Sequence, residues 1–235
     1  MKYSTSFLAL CFALSTITWD ASTSAKQPQK TKLRPTAAVG TGVSMNFDKD
    51  KPGDMAKGFV ISETAGNGKT ATWKVLKYNK APSGQNAFGI TRNENYGHTF
   101  NLAIATGSNL KDVDVSVKVK AVGGKEDQGG GPIWRAKDGD NYYVARWNPL
   151  EDNFRLYFVK DGRRRQLKSA RVNLDASKFH TVRATMRGDK IECFLDGKKL
   201  LETTDATFKD SGMVGLWVKA DGKTIFDDLV ATTAK

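Results

Sequence analysis

The stretch 127–160, DQGGGPIWRAKDGDNYYVARWNPLEDNFRLYFVK, limits the possible fold more than any other part of the chain. It reads as three consecutive β-strands, 132–137, 142–148 and 154–160, joined by the loop 138–141 and the turn 149–153. Successive side chains of a strand point to opposite faces, so the register can be worked out on paper. With Lys137 opposite Tyr142, Arg135 opposes Val144 and Ile133 opposes Arg146. One face then carries Trp134, Ala136, Tyr143, Ala145 and Trp147, continued by Phe154, Leu156 and Phe158; this is a core face. The other carries Ile133, Arg135, Tyr142, Val144, Arg146 and Asn148, continued by Arg155 and Tyr157. Basic, aromatic and amide side chains among aliphatics in mid-strand suit a polyhydroxylated or acidic ligand.

The rest of the chain repeats the period of two. Segment 111–122 alternates cleanly, with Val113, Val115, Val117, Val119 and Ala121 on one side and Asp114, Ser116, Lys118 and Lys120 on the other. That is the pattern of an antiparallel strand with one face in water. Further strands are expected at 43–47, 59–63, 71–78, 86–92, 98–105, 165–172, 178–187, 190–195, 198–202, 212–219 and 224–232. Turns at Gly66-Asn67-Gly68, Asp161-Gly162, Gly188-Asp189 and Asp196-Gly197 punctuate them. No helix longer than a turn, no internal repeat and no boundary after Gly42 is visible. A dozen or more strands without β-α alternation predict an all-β sandwich or barrel.

The N-terminus sets the expected compartment. Lys2, the apolar run 7–19 and the small residues Thr23-Ser24-Ala25 form a secretory signal pattern, predicting a signal peptide over 1–25 and a secreted or periplasmic protein. The apolar run is too short to span a bilayer as a mature helix, so no transmembrane segment is expected after cleavage. Leu10 before Cys11 argues against a lipoprotein. Residues 26–41, polar and basic with Pro28 and Pro35, read as a flexible leader, leaving 42–235 as the domain. Cys193 then has no intramolecular partner and reads as a buried, inert thiol. The formal charge of +12 draws anions. Its cations are scattered, however, with Arg163-Arg164-Arg165 the single run, and no RNP, zinc-finger or helix-turn-helix pattern accompanies them, so no specific nucleic-acid partner is expected.

Three motifs in order, DQGGGPIWRAKDGDNYYVARWNPLEDN, KFHTVRATMRGDKIECFLDGKKL and GMVGLWVKADGKTIFDDL, resemble the concanavalin A-like lectin/glucanase superfamily. Within it they are most similar to bacterial secreted laminin-G-like modules grouped with keto-disaccharide hydrolase domains. The resemblance covers roughly residues 43–232. It implies a jelly-roll sandwich of two antiparallel sheets, the last strands in mid-sheet, and a glycan or similar polar ligand on the concave face.

Activity does not transfer with the fold. Retaining glucanases place three carboxylates on one strand as Glu-x-Asp-x-Glu, two of them about 5 Å apart; no such triplet occurs here. The Gln-x-His strand of alginate-lyase-like members is missing, as are the Asn-Ser-Gly and Gly-Tyr-Glu patterns of the hydrolase relatives. The primary expectation is therefore a lectin-like module. Its ligand-binding residues would be Arg135, Tyr142, Arg146, Asn148, Arg155, Tyr157, Trp217 and Lys219. A glycoside hydrolase of the keto-disaccharide type is the alternative, with Asp127, Glu151 or His98 as acid or base. His180 shares parity with Val182, Ala184 and Met186 and reads as a hydrogen-bonded structural histidine. Gly129–Gly131 allow close approach of a ligand or of another strand. No cofactor is expected. Asp138, Asp140 and Asn141 could hold calcium with backbone oxygens, or serve as ordinary turn residues.

Overall fold

The computed structural model describes Met1, residues 33–66 and residues 69–235. The expected signal peptide, its cleavage site near Ala25 and the start of the leader lie outside the described residues, as do Asn67 and Gly68.

Among the described residues there are fifteen strands and no helix. They are β1 (Val43–Met45), β2 (Phe59–Thr64), β3 (Thr72–Lys77), β4 (Asn86–Arg92), β5 (Phe100–Leu110), β6 (Val113–Gly123), β7 (Gly131–Asp138) and β8 (Asn141–Asn148), followed by β9 (Asn153–Lys160), β10 (Arg163–Arg171), β11 (His180–Arg187), β12 (Lys190–Leu195), β13 (Lys198–Thr204), β14 (Gly212–Lys219) and β15 (Lys223–Thr232). Two antiparallel sheets result. One runs β13-β12-β11-β6-β15-β4-β3, with β1 also paired to β15; the other runs β10-β9-β8-β7-β14-β5-β2. The last two strands sit in mid-sheet, one in each layer, as a jelly roll requires.

The two sheets bury their residues differently. Strand β6 keeps the alternation read from its sequence, with four valines at 0% exposure and polar neighbours half in water. Strands β8 and β14 are buried on both faces. The inward residues of this sheet, including Trp134, Tyr143, Trp147, Leu216 and Val218, join the core between the sheets. Its outward residues, including Ile133, Tyr142, Val144, Tyr157 and Trp217, form a second apolar cluster with Phe100, Leu102 and Ile104. Tyr142 and Thr64 show why. Their strands lie four places apart, about 19 Å in a flat sheet, yet their hydroxyls are 2.7 Å apart. Thr64 also donates to the Gly139 carbonyl in the β7–β8 turn. The seven-stranded sheet is thus curled, and its outer face is concave.

Segment 36–41, expected to be leader, is tied to β5: the N–H groups of Thr36 and Gly40 donate to the carbonyls of Thr106 (2.8 Å) and Asn109 (2.7 Å). Leu33, earlier still, packs against the concave cluster. The domain therefore begins ahead of residue 42. Polar composition concealed this, because backbone groups make the tie.

The expected β7–β8 register needs correction. Asp138 pairs with Asn141 as read, but Trp134 pairs with Tyr143 and Ile133 with Val144. Two extra residues bulge out of β7, and Arg135 takes a left-handed conformation at φ 47°. Beyond the bulge the parity changes, so Ala136 belongs to the concave cluster and not to the core face expected for it.

Candidate functional site

Strand β8 delivers Arg146 and Asn148 to one end of the concave face, β9 delivers Arg155 and Tyr157, and β14 delivers Lys219. The loop before β7 adds Asp127. That loop is fixed from below: the Asp221 carboxylate accepts the N–H groups of Lys125 (2.7 Å), Glu126 (3.0 Å) and Asp127 (3.1 Å). Burial works against the Asp221 anion, but these backbone donors outweigh it and hold its carboxyl below the usual range.

Asp127 is fully buried and accepts from Lys219 Nζ at 2.9 Å and Asn148 Nδ2 at 3.2 Å. Burial pushes its carboxyl above the usual range despite Arg146 and Lys219 nearby. Asn148 turns its own oxygen to the N–H groups of Leu150 (2.8 Å) and Glu151 (3.1 Å), which shapes the β8–β9 turn. That turn presents Glu151, whose Oε2 accepts from Asn153 Nδ2 (2.9 Å), Arg146 Nη2 (3.0 Å) and Arg155 Nη1 (3.0 Å). Burial alone would raise the Glu151 carboxyl; the Asn153 amide and the guanidiniums of Arg146 and Arg155 bring it down to about 2. Beside it, an open cleft of about 370 Å³ runs past Arg155, Ser169 and Arg171.

Arg146 is the centre of this group. Only 1% exposed, it spends Nη2 on Glu151 and leaves Nε and Nη1 without any partner. Its guanidinium lies 6.0 Å from the Tyr157 ring centre. Parity reading missed one further residue here. Arg164 of β10 reaches over the face and lies 4.5 Å from the Tyr157 ring and 4.9 Å from that of Phe100, with Nη1 unpartnered. The signal was present: across the Asp161-Gly162 turn Arg164 pairs with Val159, which puts it on the face of Tyr157.

Asp127, Arg146, Asn148, Glu151, Arg155, Tyr157 and Lys219 thus meet. Tyr142 and Trp217 share the face but are engaged with each other, the Trp217 Nε1 donating to the Tyr142 hydroxyl at 3.1 Å. Both are fully buried, and Trp217 leans on Phe100 at 5.1 Å. Burial also pushes the Tyr142 phenol up. Arg135 is elsewhere. The bulge turns it toward the far end of the sandwich, where it donates to the carbonyls of Lys111 (2.6 Å), Phe208 (2.7 Å) and Gly188 (2.8 Å). The expectation that Arg135 and Arg146 emerge side by side is overturned by that backbone geometry. His98 is exposed in the turn ahead of β5. His180 lies against Trp147, with Nδ1 2.7 Å from Asp196 Oδ2 and Nε2 donating to the Asp175 carbonyl at 2.9 Å, a structural arrangement.

The calcium alternative at 138–141 meets ordinary turn chemistry. Asp138 accepts from the Asp140 N–H (2.8 Å) and the Asn141 amide (3.0 Å), and Asn141 Oδ1 accepts from the Asp161 N–H (3.0 Å). Among the described residues no three His, Cys, Asp or Glu side chains converge as metal ligands, and no helix is long and apolar enough to cross a membrane.

No protein-family model matches the chain, and no curated protein does. Solved structures do. The carbohydrate binding module CBM66 from Bacillus subtilis aligns at TM-score 0.59 and 17% identity, covering 76% of this chain and 98% of that one. Cellulose induced protein Cip1 aligns at 0.58 and 15%, covering 82% and 97%. A prokaryotic beta-1,3-1,4-glucanase (lichenase) derived from a mouse hindgut metagenome aligns at 0.55 and 12%, covering 83% and 100%. At such identities the likeness is one of architecture, and together with the strand order it identifies the fold as the concanavalin A-like jelly roll.

Proposed function

We propose that the chain is a secreted carbohydrate-binding module that holds a glycan at the Arg146 end of its concave face. The observation that carries this reading is the Arg146 guanidinium, buried with two of its three nitrogens unpartnered amid Asn148, Arg155, Tyr157 and Lys219. A buried N–H without an acceptor costs roughly 1–3 kcal/mol, and hydroxyls of a sugar would recover it. The CBM66 likeness agrees in fold, and the signal pattern at 1–25 supports export. Glycan-array screening followed by calorimetry tests the reading. A bound glycan whose affinity falls about tenfold or more in Arg146→Gln supports it; no binding by the wild type, or unchanged binding by a folded variant, overturns it.

A second reading, glycoside cleavage, has one observation in its favour. Asp127 is pushed up and Glu151 down, the division expected of an acid and its ionised partner. Glu151, however, already accepts three hydrogen bonds on one oxygen, which leaves it a poor base. Release of reducing sugar by the wild type, lost in Asp127→Asn, would decide for cleavage.

A further inference from the structure

The charges around Arg146 do not balance. Arg146, Arg155, Arg164 and Lys219 bring four cations to a region where Asp127 and Glu151 supply two carboxylates. Arg155 and Lys219 are each paired, and Arg146 shares the Glu151 oxygen that Arg155 also uses. Arg164 makes no ion pair among the described residues; two aromatic rings hold it. Three guanidinium nitrogens in all, Nε and Nη1 of Arg146 and Nη1 of Arg164, are buried without an acceptor, and both side chains lie against the same Tyr157 ring.

We infer that the glycan taken by this site is acidic, carrying a sugar carboxylate or sulfate that engages Arg146 and Arg164 beside Tyr157. A neutral hydroxyl could accept one of these hydrogen bonds, but it would leave the surplus positive charge held where water screens it poorly. An oxyanion answers both needs. It presents several acceptor oxygens to fixed guanidinium forks, and such charge-assisted bonds are about twice as strong as neutral ones. Strand β10, from which Arg164 projects, is an edge strand with five cations and no carboxylate, RRRQLKSAR, so the approach to the site is also electropositive.

The inference rests on the carbohydrate reading and is tested so that the two can fail separately. Calorimetry at about 0.15 M salt would compare a polyuronate oligosaccharide, the same oligosaccharide with its carboxyls reduced to alcohols, a sulfated oligosaccharide and neutral glucans. The expected result is binding of the uronate or the sulfated sugar, weakened about tenfold or more by Arg164→Gln and by Arg146→Lys. Lys209→Gln, which removes the same charge from an exposed position, should leave affinity unchanged. Carboxyl reduction needs no variant, so for a uronate ligand it stands even if an arginine substitution unfolds the protein; loss of binding on reduction supports the inference. Equal binding of neutral and reduced sugars, sensitive to Arg146→Lys, overturns the acidic ligand while the carbohydrate reading survives. Anion binding weakened as much by Lys209→Gln as by Arg164→Gln is general attraction to a basic surface and overturns the site. Binding of no glycan at all overturns both.

Discussion

Two arginines eleven positions apart in neighbouring strands illustrate how differently one residue type can be used. Arg135, 1% exposed, gives hydrogen bonds to three carbonyl oxygens from three separate connecting segments; Arg146, equally buried, retains two nitrogens without partners. Arg135→Ala should therefore lower the unfolding free energy by on the order of 3 kcal/mol, read by denaturant titration, and leave glycan affinity unaltered. Glu151 yields a pH prediction. Its folded carboxyl sits at about 2, below the unfolded value near 4.5, so its stabilising contribution is complete above the unfolded pKa and disappears as pH falls toward 2. The stability difference between wild type and Glu151→Gln should be flat above about pH 5 and shrink below it, from a plateau of about 1–2 kcal/mol once solvent screening is allowed for. Alternation alone located Arg146, Asn148, Arg155, Tyr157 and Lys219, because each lies in an unbroken stretch of ladder. Arg164 escaped notice inside a basic run that reads as solvated surface until it is counted across its turn.

At the scale of the element, strand β7 is where paper reading and structure part. Residues 132–137 read as a simple strand, and nothing in the string Trp134-Arg135-Ala136 announces a left-handed arginine. The determinant is remote: a Cβ on Gly212, in the neighbouring β14, would collide with the Arg135 backbone. A neighbour 77 positions along the chain cannot be seen in a local pattern. The glycines leading into β7 and opening it, Gly129–Gly131, were legible as a close approach, though not as to what approaches. It is protein backbone, since a Cβ on Gly129 would meet the Trp147 carbonyl oxygen, one on Gly130 that of Trp217 and one on Gly131 that of Ala145. Gly131→Ala should thus cost on the order of 2–4 kcal/mol and loosen the β7–β8 pairing, visible as faster amide exchange in both strands. The whole sandwich was readable because hydrophobic alternation and turn residues agree along β6, β11 and β12; the curl of the second sheet was not, because it depends on contacts such as Thr64 with Tyr142.

For the molecule as a whole, the core between the sheets carries stability without a disulfide among the described residues. Cys193 sits inside it, free, with burial pushing its thiol up. Aromatic-disulfide reagents should leave it unmodified in native buffer and label it at the rate of global unfolding, so thiol labelling across a denaturant series reports the stability of the complete sandwich. The Arg135 clamp has a consequence on the same scale. It fastens the β5–β6 and β11–β12 turns and the segment between β13 and β14 at one pole, whereas Asp127, Asn148 and Lys219 lie at the opposite strand ends. The opposite pole is tied across the layers too, by the Thr224 hydroxyl of β15 donating to the Gly129 carbonyl ahead of β7 at 2.7 Å. Loop grafts or inserted tags should accordingly be placed away from residues 111, 188 and 208, because three separate chain segments there depend on one guanidinium.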